Sequence, residues 1–417
     1  MNRTAVLLAL GLLACSSRAP SRAVTRVPVA PRRGLPDKTV RVVLASTDRR
    51  VSATADFAWY DDAGALLARG RRGEKWRLER EQAGVRIRAV SPEGIGSAWL
   101  RALVARPSAG YMTLGGKRFR GDFLVLPVDS SLMVVNRLAV EDYVRGVVPL
   151  EIGTLAAADS AAMQAQAVAA RSYAFVRLSD PTPRAFDLKP TTADQVYGGM
   201  SAETDVANDA IDATRGMVIT WQGRVVDAPF SATCGGSTAD AAEVWGGSGA
   251  LYLKRVSDQI GSSTRFYCDG GSRFRWTRTL SARQLNGALA QYLRQYASVP
   301  ASGPGPARAI TILNRGPSGR VAVIEVETDR GFFPVRGDDI RSVLRVTGGE
   351  PLSSTYFSIA PEYDRNGLIS SVTLRGQGFG HGVGMCQWGA IGRARAGQSF
   401  REILGTYYPG TSVGPVQ

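Results

Sequence analysis

The chain has a single histidine, His381, and only five lysines among its 51 basic residues. One histidine excludes a histidine-rich zinc site and the paired histidines of a zinc-protease helix. Any Ser-His-Asp or Cys-His machinery would have to pass through that one side chain. Cysteine is scarce as well, with Cys15, Cys234, Cys268 and Cys386 the complete set. Long apolar runs are missing: Thr4 to Ala14 falls well short of the ~20 residues that span a bilayer. Acidic residues are in deficit, 36 against 51 Lys and Arg, which leaves a net charge of +15. That excess predicts an anionic partner, whether nucleic acid, a membrane surface or an acidic polymer.

What remains is an ordinary globular composition, 44% hydrophobic and 21% charged over 417 residues, enough for two or three domains with proper cores. The basic start Met1-Asn2-Arg3 followed by the short apolar run has the layout of a signal peptide. Its end, Leu12-Leu13-Ala14-Cys15, resembles a bacterial lipobox, in which the cysteine is lipidated. We therefore expect a lipoprotein-type signal over 1–15 with Cys15 as lipid anchor, and a Pro/Ser/Arg-rich linker over 16–39. Export to the cell envelope argues against nucleic acid as partner and assigns the positive charge to an envelope polymer.

The fold class expected is α+β: a mixed, β-rich protein with a central helical segment and a glycine-rich C-terminal strand. Period-two alternation, as in Val85-Arg86-Ile87-Arg88-Ala89-Val90, predicts a β-rich region over 40–110, with further strands to 136. Ser160 to Leu178 places Met163, Ala167, Ala170, Ala174 and Leu178 on one helical face. Ser399-Phe400-Arg401-Glu402 reads as a capping box opening the last helix. Residues 111–417 are expected to form a second, larger domain, with a less typical stretch at about 272–350.

Three places could carry chemistry. Gly376 to Met385 alternates five glycines with Gln377, Phe379, His381, Val383 and Met385. As an extended strand it would have one bare face, open to close approach by a ligand or another backbone. A Cys386–His381 nucleophile pair is disfavoured, because positions five apart in a strand face opposite ways. Cys234 and Cys268 sit in glycine-flanked, loop-like sequence, and a disulfide between them would close a loop worth roughly 3–4 kcal/mol. Glu151 lies in the apolar run Val147-Val148-Pro149-Leu150-Glu151-Ile152. Burial there would raise its carboxyl pKa, as suits a general acid; an exposed turn glutamate is the other reading.

Three blocks resemble the signature motifs of the SpoIID/LytB family, the sporulation stage II protein D type of peptidoglycan enzyme and the related amidase enhancer. They are Val147-Val148-Pro149-Leu150-Glu151, Gln164 to Ala174, and Gly380-His381-Gly382-Val383-Gly384-Met385-Cys386-Gln387-Trp388-Gly389-Ala390. Gln195 to Gly199, Cys234 to Thr238 and Tyr407 to Thr411 fall in the family's order between and after them. The resemblance implies a lytic transglycosylase that needs no cofactor and acts on glycan strands stripped of stem peptides. Glu151 stands in place of the catalytic glutamate, and Gln166, Arg171, His381 and Gln387 are candidates for substrate binding. It also implies an alternative: a non-catalytic enhancer that partners an N-acetylmuramoyl-L-alanine amidase. Some relatives bind zinc near the Gly-Gly-Ser-Thr loop through cysteines and a histidine. Here Ser231 stands where that histidine is expected, which implies no metal and leaves Cys234 to the disulfide. Cys386 stands where the family often has serine.

Overall fold

The computed structural model describes residues 39–415 apart from 45–47, 83, 91–95 and 346–348. The expected signal segment, the lipidation site Cys15 and the linker up to residue 38 lie outside the described residues. The fold is α+β and β-rich, as expected. Among the described residues no helix is long and apolar enough to cross a membrane. The chain divides into two compact units. An N-terminal unit holds the described residues up to Ala228 together with Ser412–Pro415, and a C-terminal unit holds Pro229–Thr411. The division falls at 228/229.

The N-terminal unit is built on two antiparallel sheets. One has six strands, ordered Thr39–Leu44, Ser131–Ala139, Asp122–Val128, Leu103–Pro107, Phe57–Asp61 and Leu66–Gly70. The other has five, ordered Gly84–Ala89, Trp76–Glu81, Arg50–Ala53, Met112–Leu114 and Lys117–Phe119. Alternation does what it predicts in Gly84–Ala89: Val85, Ile87 and Ala89 are buried while Arg86 and Arg88 are not. Trp59 and Trp76, one from each sheet and both fully buried, bring their rings to 6.2 Å.

From the long strand Ser131–Ala139 the chain runs directly into the helix Val140–Arg145, then the single turn Val148–Glu151 and the long helix Ser160–Leu178. The sequence predicted one apolar face for this last helix. Instead every residue from Ala165 to Ser172 is buried, so its middle is enclosed on all sides. Alanine at half of these positions lets neighbouring backbone close in, and the polar members of the stretch must find partners inside the protein. The helix Asp205–Ala213, capped by the Thr204 side chain, and the strand Met217–Trp221 cover it; that strand pairs with Ser412–Pro415.

The C-terminal unit has two three-stranded antiparallel sheets, ordered Arg275–Ser281, Ile369–Gln377, Phe357–Tyr363 and Ala307–Arg315, Val321–Thr328, Gly331–Arg336. With the helix Ala282–Tyr292 they enclose a core that includes Leu285, Leu289, Ile324, Val326, Val372 and Leu374. The capping boxes at Ser281/Gln284 and Ser399/Glu402 are both formed.

The glycine-rich C-terminal strand is a correction. Extended structure ends at Gln377, and Gly378, Gly380, Gly382 and Gly384 all take positive φ. Alternating glycine imitates the period of a strand while allowing a contorted loop that no L-residue could follow. The loop is also tightly packed: a Cβ on Gly382 would lie 2.3 Å from the Arg320 guanidinium, and one on Gly384 2.1 Å from the Pro229 carbonyl oxygen. The bare positions admit other parts of the same unit.

Candidate functional site

Glu151 ends the turn Val148–Glu151 and is half-buried, while Val147 and Val148 beneath it are fully buried. Pro149 in the first turn needs no hydrogen-bond partner for its nitrogen there. The backbone N–H of Val196, 45 residues away in sequence, donates to Glu151 Oε1 at 2.5 Å. That bond fixes the carboxyl's direction. The segment Gln195–Gly199 is shaped to make it. The Gly198 N–H donates to the Gly146 carbonyl at 3.1 Å. A Cβ on Gly146 would lie 2.5 Å from the Tyr197 ring, and one on Gly198 2.8 Å from Leu150 Cδ1. Glycine at both positions is therefore what lets the segment lie against the turn that carries Glu151.

Buried side chains lock this arrangement. The Tyr143 hydroxyl donates to Gln195 Oε1 at 2.9 Å, and the Tyr197 hydroxyl to Asn136 Oδ1 at 2.7 Å. Burial, reinforced by the negative charge of Glu151, pushes Tyr143 well above the usual tyrosine range, so it stays a neutral donor. The field of Asp194 also reaches Tyr143. Its carboxylate is occupied on both oxygens, by the Tyr173 hydroxyl at 2.9 Å and the Lys189 N–H at 2.9 Å. The motif Gln195–Gly199 was legible as part of a pattern; its role as the clamp on Glu151 was not.

Two of the expected substrate-binding residues, Arg171 and Gln166, are fully buried. Arg171 is fully buried and its guanidinium is committed inside the unit. Nε and Nη2 donate to the two oxygens of Glu141 at 2.9 and 2.8 Å, and Nη1 donates to the Met217 carbonyl at 2.9 Å. Glu141 also accepts the Gly216 N–H at 3.0 Å, so the pair ties the helix Val140–Arg145 to the long helix and to the covering strand. Gln166, on the same enclosed helix, is likewise fully buried. Neither side chain has a surface to offer a sugar.

The other two candidates, His381 and Gln387, belong to the C-terminal unit. Gln387 is buried in the first turn of the helix Gln387–Arg395. The half-buried His381 is bound through both ring nitrogens to backbone: Nδ1 accepts the Val383 N–H at 3.1 Å and Nε2 lies 2.9 Å from the Phe230 carbonyl. Since a carbonyl can only accept, Nε2 carries the proton. Burial lowers the imidazole pKa to about 4, so the ring is neutral near pH 7. Both contacts pin the glycine loop. Trp245 stacks against it with centroids 5.2 Å apart and half of its surface exposed, an aromatic feature the sequence reading passed over.

Cys234 and Cys268, expected as a disulfide, are thiols in the structure with their sulfurs 3.5 Å apart. Cys386 joins them: its Sγ accepts the N–H groups of Cys234 at 3.2 Å and Gly389 at 3.3 Å. It makes no pair with His381, whose nitrogens are both taken. Asp258 completes a buried group of four whose ligand atoms all lie within 4.8 Å of one another. Burial raises the carboxyl of Asp258 to about 6 and pushes the Cys234 and Cys386 thiols well above their usual range.

Comparison with known proteins agrees with the motifs. A family model described as Stage II sporulation protein matches residues 128–221, the stretch containing Glu151 and its clamp. A second, described as a domain of unknown function, matches residues 252–384. An uncharacterized protein of Brachyspira hyodysenteriae is 34% identical over 302 residues, 72% of this chain and 73% of that protein. The stage II sporulation protein D of Bacillus subtilis is 31% identical over 67% of this chain and 75% of its own length. The amidase enhancer of Bacillus subtilis is 29% identical over 64% of this chain, which spans 40% of that longer protein. With the sporulation protein matched over three quarters of its length and the signature motifs in order, the chain belongs to the SpoIID/LytB family.

Proposed function

We propose that the protein is a peptidoglycan lytic transglycosylase of the cell envelope, cleaving the MurNAc–GlcNAc bond of denuded glycan with Glu151 as its one acid–base group. The observation that carries this reading is a half-buried carboxyl held in a fixed direction by the Val196 N–H, while the neighbouring Asp194 is fully engaged elsewhere. Ordinary glycosidases need two carboxyls, one to protonate the leaving oxygen and one to act as nucleophile or base. One suffices when the substrate brings its own nucleophile. Glu151 donates its proton to the GlcNAc oxygen as the bond to MurNAc C1 breaks. The MurNAc C6 hydroxyl attacks C1, and its proton passes to the carboxylate, which returns Glu151 to its starting state with a 1,6-anhydro end as product.

The net charge of +15 suits an anionic wall polymer, and the layout of residues 1–15 suits export with Cys15 as a lipid anchor to the membrane. The printed name of one relative, amidase enhancer, favours a second reading in which the protein binds glycan and stimulates a wall amidase without cutting. Digestion of denuded glycan followed by mass spectrometry separates the two. The transglycosylase reading expects anhydro-muramyl ends from the native protein and none from Glu151→Gln. Glycan bound without product, with amidase stimulation intact in Glu151→Gln, would replace it with the second reading.

A further inference from the structure

The group formed by Cys234, Asp258, Cys268 and Cys386 has the composition of a metal site rather than of a disulfide with bystanders. Measured from Cys234, the partners lie 24, 34 and 152 residues along the chain, yet all four are fully buried and converge to within 4.8 Å. A pairing of Cys234 with Cys268 leaves Cys386 and Asp258 unexplained in the same pocket. Three sulfurs and one carboxylate oxygen match the tetrahedral coordination of Zn²⁺, and thiolate-rich sets select zinc over magnesium or calcium.

The surroundings are arranged as an outer shell. One oxygen of Asp258, Oδ1, accepts from the Tyr407 hydroxyl at 2.6 Å and from Arg393 at 3.0 and 3.2 Å, while the other, Oδ2, faces Cys234 Sγ at 3.3 Å. A carboxylate pinned through one oxygen presents the other in a fixed direction, as metal-ligating carboxylates do. Backbone N–H groups point at Cys386 Sγ, as they do at metal-bound thiolates.

Charge balance points the same way. Arg320 is buried with its Nη2 on the Cys234 carbonyl at 2.7 Å, and its Nε and Nη1 have no hydrogen-bond partner among the described residues. Two buried guanidinium groups, Arg320 and Arg393, thus border the cluster. A Zn²⁺ held by three thiolates and one carboxylate carries a net double negative charge, which offsets both arginines.

We propose that Cys234, Asp258, Cys268 and Cys386 form a closed structural site for Zn²⁺. This ligand set contains no histidine, so the serine at position 231 is no obstacle to it. On binding, each coordinating thiol still protonated releases its proton to solvent, sulfur–metal bonds form, and no redox change occurs.

The test uses the full chain, stripped of metal under reducing conditions and titrated with Zn²⁺ or Co²⁺. One metal per chain is expected, with thiolate-to-cobalt charge-transfer bands, tetrahedral visible bands and a rise in melting temperature of ~10 °C or more. Cys386→Ser, which keeps the side chain's shape, should fold and lose about one third of the charge-transfer intensity. Asp258→Asn should weaken binding at least ~10-fold. Protein that binds no metal after reduction, or binds it equally in both variants, would overturn the site. So would protein isolated without reductant that contains a Cys234–Cys268 disulfide and no zinc.

Discussion

Replacing Arg171 with methionine removes a guanidinium that makes three hydrogen bonds inside a fully enclosed helix. The loss has two parts. Glu141 keeps only the Gly216 N–H among the partners described for it, and the Met217 carbonyl loses its donor. Removing one member of a buried pair typically costs ~3–5 kcal/mol, because the remaining charge has no compensation. In a unit of this size each kcal/mol lowers the melting temperature by roughly 2–4 °C, so Arg171→Met should melt about 10 °C earlier. Urea unfolding should show a lower midpoint with an unchanged slope. The double variant Arg171→Met/Glu141→Leu removes both charges and should recover part of the loss. Binding of glycan by folded Arg171→Met should be close to normal. A variant with the wild-type urea midpoint but much weaker glycan binding would refute the framework role and return Arg171 to the substrate surface.

The clamp on Glu151 gives a second test. Gly146→Ala puts a methyl 2.5 Å from the Tyr197 ring, next to the residue whose N–H holds the carboxyl. Overpacking of ~1–3 kcal/mol is expected, with turnover falling more than the loss of folded protein explains; unchanged turnover would discount the clamp. His381 gives a pH test. Burial lowers its folded pKa to about 4 against 6.5 when free; Asp338 opposes the shift, and Arg341 and Arg320 add to it. Between these values the unfolded chain binds the proton and the folded one does not. Its contribution is therefore complete above pH 6.5 and is lost as the pH falls toward 4, by at most about 3 kcal/mol. Urea midpoints at both ends of that window should fall less for His381→Gln than for the native protein, and equal slopes would remove the assignment.

Local patterns carried much of the fold. The period-two strands and both capping boxes depend on neighbours a few residues apart, and such signals survive in the sequence. Glu151 was legible from its apolar setting and motif. Its partner Val196 was not, because a backbone N–H leaves no trace in residue identity and the contact spans 45 positions. Arg171 and Gln166 were expected at the substrate surface through the family motif they stand in, and a motif does not show whether their side of the helix is covered. Only the packing of the helix Asp205–Ala213 and the strand Met217–Trp221 encloses that side. The glycine loop was misread because alternation at every second position is also the mark of a strand. The four-residue cluster around Cys386 was hidden by sequence distance, and by Asp258, an acid with nothing unusual in its neighbours.

Digestion of denuded glycan in heavy-oxygen water tests most directly the claim that one carboxyl and the substrate's own hydroxyl perform the reaction. An intramolecular attack takes no oxygen from solvent, so every new muramyl end should be an anhydro end free of label, and all product should vanish in Glu151→Gln. Label in the new reducing ends would mean that water is the nucleophile and a second base exists, which contradicts the account.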